Sequence, residues 1–307
     1  MELDRSLLHA LVQKLEHHEE SVPVFAIRER RLREIEEDAL GVARLFGTVH
    51  GLGETRFDRR RGRNRTTFQL QENIQATVYH ASGALQLTAN VAPMDAIIAS
   101  DADTVDEGDL RRFSDAALER LEIQPLEGLE TLRFERLWRM KATGITEKGE
   151  RAPIALTRAV GAYRRHIGSL PVFGRASVFV EVAAKGRLAA AGMDWRPVVA
   201  KPIDETPVLS PEHGGERVIR ELERFDPEQR VTLDDYTPDL FSLGYFSLPK
   251  RRDQAVMQPV YVAMLAPTGP IPSVGRVIVV PAAPEAYEPL ARRLAAPNAR
   301  ERAPVLS

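Results

Sequence analysis

Seven histidines and two groups of closely spaced acids are the residues of this chain that could do chemistry. Their spacing decides what chemistry is open to them. His17-His18-Glu19-Glu20 puts imidazoles beside carboxylates, but zinc hydrolysis needs two histidines one helical turn apart with a glutamate between them. Adjacent residues on a helix point about 100° apart, so the tetrad reads as a surface helix end. His9, His50, His80, His166 and His213 are scattered singly and read as surface or internally satisfied residues. Asp234-Asp235 and Asp101-Ala102-Asp103 pair carboxylates, yet a calcium loop needs several spaced oxygens and a distal glutamate; solvated loops are expected there. Gly47-Thr48-Val49-His50-Gly51-Leu52-Gly53 is glycine-rich but lacks the Lys-Ser/Thr of a phosphate loop, and reads as a helix stop and turn. No Gly-x-Ser-x-Gly elbow or dinucleotide fingerprint is present. The pattern predicts no catalytic residues, no metal and no cofactor.

Two groups point to binding. Arg56-Phe57-Asp58-Arg59-Arg60-Arg61-Gly62-Arg63-Asn64-Arg65 is the densest positive charge in the chain, an anionic-ligand patch of Arg59, Arg60, Arg61, Arg63 and Arg65. With Phe57 as its one stacking platform, the run reads first as a solvated hairpin tip, and nucleic acid ranks last among the partners. Trp138 and Trp195, the two tryptophans, fall in or beside expected strands. A binding groove would use them; core packing is the commoner fate of a strand tryptophan.

The elements that must position these residues follow from periodicity. Leu7, Leu8, Leu11, Val12 and Leu15 predict a helix over 5–20, with Asp4 as its cap; Leu32, Ile35, Ala39, Val42, Ala43 and Phe46 predict a second that stops at Gly47. Alternation from Thr66 to Val91, across a turn at Ser82-Gly83, predicts a β-meander. A third helix over Asp106 to Leu121, capped by Asp106, is followed by a strand over 129–142 and a second meander over 159–197. Ser210-Pro211-Glu212 opens a fourth helix. Strands are expected near 240–246, 257–265 and 274–282, with a turn near Gly269 and a short helix over 284–294 before a frayed tail. Val78-Tyr79-His80-Ala81-Ser82-Gly83-Ala84-Leu85 aligns with Val180 to Leu188 at one residue of slack, which suggests an internal repeat.

With 307 residues and 43% hydrophobic content, the chain predicts two or three domains at roughly 100 to 200 residues each. The boundaries expected are 1–100 for a helical pair plus meander, 101–200 for one helix-and-sheet unit and 201–307 for a second. A formal charge of -2 favours neither nucleic acid nor an acidic membrane. The absence of cysteine excludes disulfides and thiol chemistry. Acids at Glu2 and Asp4 argue against a leader peptide, and no apolar run is long enough to span a bilayer. A cytoplasmic location is expected unless a leader has been removed.

Between Tyr163 and Trp195, Ser169-Leu170-Pro171-Val172-Phe173-Gly174, then Val178 to Val182, then Lys185-Gly186-Arg187-Leu188, resembles the PepSY and fungalysin/thermolysin propeptide-like family. Ser169 stands where that family usually has Gly, and Lys185 where it has Asp or Asn. Ser210-Pro211-Glu212 and Gln258-Pro259-Val260-Tyr261-Val262 extend the resemblance over roughly 106–282. It implies an α+β fold of tandem cystatin-like units, each a helix packed on an antiparallel sheet. It also implies a role in restraining or assisting peptidases, or in binding peptide and protein partners. Pro171, Phe173, Gly174, Trp138 and Trp195 are the expected binding positions on turn and sheet. The alternative is a small-molecule-binding or cyclase-like protein with a pocket between helix and sheet, served by His166 or His80.

Overall fold

The computed structural model describes residues 5–53, 57–90, 97–99, 105–123, 125, 127–145, 149–151, 153–174, 177–225, 236–268 and 275–287. In chain order α1 (Arg5–Gln13) precedes β1 (Ser21–Ala26). Helix α2 (Leu32–Val49) leads into β2 (Asp58–Arg61), β3 (Arg65–Gln71), β4 (Ile74–Tyr79) and β5 (Leu85–Ala89). Helix α3 (Glu107–Arg120) leads into β6 (Glu130–Ala142), β7 (Ala155–Ile167), β8 (Leu170–Phe173), β9 (Val178–Val182) and β10 (Leu188–Met193). The chain continues through β11 (Asp204–Pro207), α4 (Pro211–Phe225), β12 (Tyr236–Phe246), β13 (Val256–Met257), β14 (Pro259–Pro267) and β15 (Arg276–Pro281). This is a mixed α+β chain with antiparallel ladders, as the alternating strand patterns require.

Two compact units share the chain. The described residues of 1–25, 202–248 and 256–307 form one, and those of 26–201 and 249–255 form the other. In the unit built from 26–201, β5 pairs with β4, β4 with β3 and β3 with β2, while on the other side β10 pairs with β9 and β9 with β7. Strand β7 carries β6 along its whole length, and β9 and the short β8 share its other side. The halves meet where β5 pairs antiparallel with β10. A helix followed by strands thus occurs twice, joined at the last strand of each set. The aligned stretches of sequence are the β4–β5 and β9–β10 hairpins, and Val78, Val180, Leu85 and Leu188 are all buried.

One sheet face is covered by the two helices. Ile35, Ala39, Ala43 and Phe46 of α2, Leu110 and Ala117 of α3, and Leu121 at its C-terminal cap pack against Phe68, Ala76, Val78, Leu87, Tyr163, Val180 and Val182. Helix α3 sits close on β7 because Gly161 has no side chain: a Cβ there would lie 2.6 Å from Ser114 Oγ. The caps follow the sequence. The Asp106 carboxylate accepts from Gly108 N–H at 2.5 Å, and the Ser210 hydroxyl accepts from His213 N–H at 3.4 Å ahead of Pro211.

In the other unit β14 lies between β12 and β15, and β1 between β11 and β13. Glycines set the helix approach here too: Cβ atoms at Gly214 and Gly215 would meet the Tyr261 ring at 2.4 Å and Leu8 Cδ1 at 2.6 Å. The first helix is shorter than its apolar spacing predicts. It ends at Gln13 because the following backbone is taken by β12, with Glu16 N–H donating to Phe241 O at 3.0 Å and Leu243 N–H to His17 O at 3.2 Å. His17 and His18 therefore lie beyond a helix end, not on one. Residues 284–287 are not helical, and the rest of the helix expected over 284–294 lies outside the described residues, as do the tail and Gly269.

Candidate functional site

Alternation puts every second residue of the β2–β10 sheet on the face the helices leave uncovered. Register aligns these residues in rows across the strands. Gln69 stands opposite Gln75, Gln75 opposite Thr88, Thr88 opposite Ala190 and Ala190 opposite Glu181. Glu181 accepts an ion pair from Arg158 of β7. This row lines an open groove of about 940 Å³, which Glu72, Asn73 and Asn90 bound at the strand ends. A second row runs beside it: Thr67 and Thr77 hydroxyls are 3.2 Å apart, Thr77 faces Gln86, and Gln86 faces Gly192. The Phe179 ring lies over Gly192, where a Cβ would come 2.1 Å from ring Cε1. Carboxamides and hydroxyls both donate and accept, so the face can hold a polar ligand through many neutral hydrogen bonds.

The strand ends away from the groove turn cationic. Tyr79 stands opposite Arg65 in the β3–β4 ladder, and its hydroxyl donates to Gln86 Oε1 at 3.1 Å. Above its ring lie Lys250 Nζ at 4.2 Å and the Arg251 guanidinium at 6.0 Å from the centroid. That segment reaches Tyr79 because Arg196, 1% exposed, gathers its backbone. The Arg196 guanidinium donates to Ala81 O at 3.1 Å, Pro249 O at 3.2 Å and Arg252 O at 2.8 Å. The Ser82 hydroxyl adds a bond to Lys250 O at 2.9 Å. Burial pushes the Tyr79 hydroxyl up, but Lys250, Arg65 and Arg251 outweigh it and bring it below its usual value.

The arginine run does not act as one patch. Arg59 and Arg61 reach back to α2 and grip Glu36, at 2.7 and 2.5 Å, and the Thr66 hydroxyl donates to the same carboxylate at 2.6 Å. Arg60 pairs with Asp58 at 3.0 Å. Arg63 and Arg65 are exposed. Strand alternation explains the split: Arg59 and Arg61 share the helix-side parity of Phe68 and Thr66, their cross-strand partners.

Pro171 and Phe173, expected on a turn, lie in buried strand β8. The turn is at Gly168-Ser169, where Gly168 has φ +59, and Gly174, with φ +117, follows the strand. The Arg164 guanidinium lies 5.2 Å from the Phe173 ring centroid. Trp195 is buried, with the Arg165 guanidinium 5.1 Å from its ring; Arg165 is itself buried in an ion pair with Glu130. Burial pulls the Arg165 guanidinium down from its ordinary value, and Glu130 opposes that shift. Trp138 is 45% exposed on β6, with Arg136 over its ring at 5.4 Å.

His80 Nε2 lies 2.9 Å from the Thr66 hydroxyl, and buried His166 has Nδ1 3.3 Å from Arg164 O. Among the described residues no three His, Cys, Asp or Glu side chains are placed to hold a metal ion. Residues 101–103 and 234–235 lie outside the described residues. No motif in the sequence singles out Tyr79, Lys250, Arg251, Arg196, Gln75 or Thr88. Only alternation in β3–β5 marked the face, and nothing local marked residues 249–252.

No family model matches the chain, and no curated protein gives a significant match. Among solved structures, the chain is similar to a crystal structure of an uncharacterized protein from Eubacterium rectale ATCC 33656. That likeness has a TM-score of 0.51 at 9% identity and covers 90% of this chain and 94% of that one. At that identity it speaks for the fold alone.

Proposed function

We propose that the chain is a non-enzymatic binding protein that receives a peptide or protein segment on the helix-free face of the β2–β10 sheet. The observation that carries this reading is the row Gln69, Gln75 and Thr88, with Ala190 and Glu181 beyond it, aligned across adjacent strands and left open. Such side chains match the donors and acceptors of a polypeptide and offer no nucleophile-and-base pair. The sheet edges favour the face over strand addition. Strand β2 is four exposed residues, three of them arginine, and β6 carries bulges at Phe134/Arg136 and Met140/Lys141 among alternating charges. Both are devices that discourage edge pairing. The twofold occurrence of a helix followed by strands supports reading each set as a cystatin-like unit, in keeping with the PepSY and propeptide-like resemblance. A small polar molecule is the second reading, favoured by the groove's volume.

The test is capture of partners from the native cell by the full chain and by Gln75→Arg/Thr88→Arg. A protein partner lost in the groove variant, but retained by Arg33→Ala on the exposed side of α2, supports the reading. A partner held equally by all three overturns the assignment to this face. Recovery of a small molecule in its place moves the groove to the second reading.

A further inference from the structure

A second site goes beyond the polar groove and does not depend on it. Arg65, Lys250 and Arg251 converge on Tyr79 from positions far apart in the sequence. None of the three forms an ion pair with a carboxylate among the described residues, in contrast to Arg59, Arg60 and Arg61 of the same hairpin, which are all paired. Asp253, the acid of the 249–255 segment, is exposed and forms no ion pair with them. Arg65 and Arg251 are exposed and Lys250 is half-buried over the tyrosine ring, so the charges are open to a ligand.

The placement is built. Holding three like charges around one ring costs Coulomb energy, and an exposed loop would relieve that cost by moving away. This loop is instead fastened by the buried Arg196, through Pro249 O and Arg252 O, by Ser82, and by a turn in which Arg252 N–H donates to Pro249 O at 2.8 Å. Against the effect of burial, all three cations act on the Tyr79 hydroxyl in the same direction and lower it. Fixed cations without a protein counter-charge fit an oxyanion. Two guanidinium groups beside one ammonium match a phosphate group, which offers three acceptor oxygens and up to two charges.

We infer that Arg65, placed opposite Tyr79 by the β3–β4 ladder, and Lys250 and Arg251, held over its ring by Arg196, form a binding site for a phosphate group. The source is either free phosphate or the phosphoryl end of a larger ligand, and the two are separated by titrating inorganic phosphate and phenyl phosphate in parallel. Calorimetric titration of the full chain, against sodium chloride at matched ionic strength, should give saturable binding of at least one probe. Binding of phenyl phosphate alone assigns the site to phosphate esters; comparable binding of both assigns it to the free ion.

Lys250→Gln/Arg251→Gln should weaken binding about tenfold or more, equivalent to ~1.4 kcal/mol, and Arg65→Gln should weaken it too. Arg63→Gln, an exposed cation outside the cluster, should leave binding unchanged. Both loop positions are solvent-accessible, so the double variant should keep the parent's thermal midpoint in chloride. Failure of both probes to bind saturably overturns the site. So does a double variant that keeps its affinity, or an Arg63→Gln loss as large as that of the double variant. The groove variant Gln75→Arg/Thr88→Arg should still bind phosphate, so this site and the groove can fail separately.

Discussion

Glu36 shows how a charged residue can be spent on the fold when its neighbours invite a functional reading. Its side chain is 7% exposed on α2 and holds Arg59, Arg61 and Thr66 from the hairpin that crosses it. The hydrogen bond from Arg61 is the largest influence on this carboxyl; burial opposes it, Thr66 and the two charges reinforce it, and the net effect is a value below the usual range. A carboxyl depressed in the folded state stabilises fully above its unfolded value of about 4.3, and that stabilisation is lost as pH falls through the folded value. Glu36→Gln should therefore cost about 1–3 kcal/mol at neutral pH, because two guanidinium groups lose their counter-charge. Below pH ~4 the gap between variant and parent should narrow. Urea melts across pH measure both quantities; parallel curves at acid pH would sink the assignment. By contrast Tyr261 of the smaller unit serves packing: burial pushes it up to about 12, and its hydroxyl donates to Leu209 O at 2.8 Å.

At the scale of elements, helix α3 depends on one missing side chain. Gly161 of β7 lies under Ser114, and any Cβ would meet Ser114 Oγ at 2.6 Å and Cβ at 2.7 Å. Gly161→Val should destabilise by about 1–3 kcal/mol through overpacking. Ser114→Gly should recover much of that loss while costing the parent little. Thermal melts of the four proteins form a double-mutant cycle; strictly additive losses would show that the helix is not seated on that glycine. The same elements show what the sequence makes legible. Strands β3 to β7 and helices α2 to α4 can be read because one buried face imposes a period of two or 3.6 along each. Helix α1 is over-read because its apolar spacing continues past Gln13 into residues whose backbone bonds to β12. Strand β8 is misread as a turn because Pro171 and Gly174 are turn residues, whereas Gly168 makes the turn. The arginine run is adjacent in sequence, but alternation sends Arg59 and Arg61 to Glu36 and Arg65 to Tyr79. The groove and the cationic cluster arise from register between strands and from a segment 171 residues beyond Tyr79 at Lys250, which no local pattern encodes.

At the scale of the whole molecule, the larger unit is not a continuous piece of chain. Residues 26–201 supply its sheet and helices, and 249–255 return to it after the chain has passed through the other unit. The returning segment is part of the fold as well as of the cationic cluster. It supplies Pro249 O and Arg252 O to the guanidinium of Arg196 and covers Tyr79, which is 4% exposed in its presence. Ala255 O accepts from Ile27 N–H at 2.8 Å, which ties the start of the unit to its last residues. A fragment of residues 26–201 would lack Pro249 O and Arg252 O, two acceptors of the Arg196 guanidinium, a loss of about 1.5–3 kcal/mol for each hydrogen bond to the charged group. The fragment should unfold at lower denaturant than the same sheet in the full chain. Its Tyr79 should react readily with tetranitromethane, whereas Tyr79 of the full chain, 4% exposed, should resist it. Fusing 249–255 to the fragment through a flexible linker should restore part of both properties, because linking raises the segment's effective concentration at its seat. A fragment as stable and as protected as the full chain would show that the segment merely rests on the sheet, and that the cations over Tyr79 are not fixed in place.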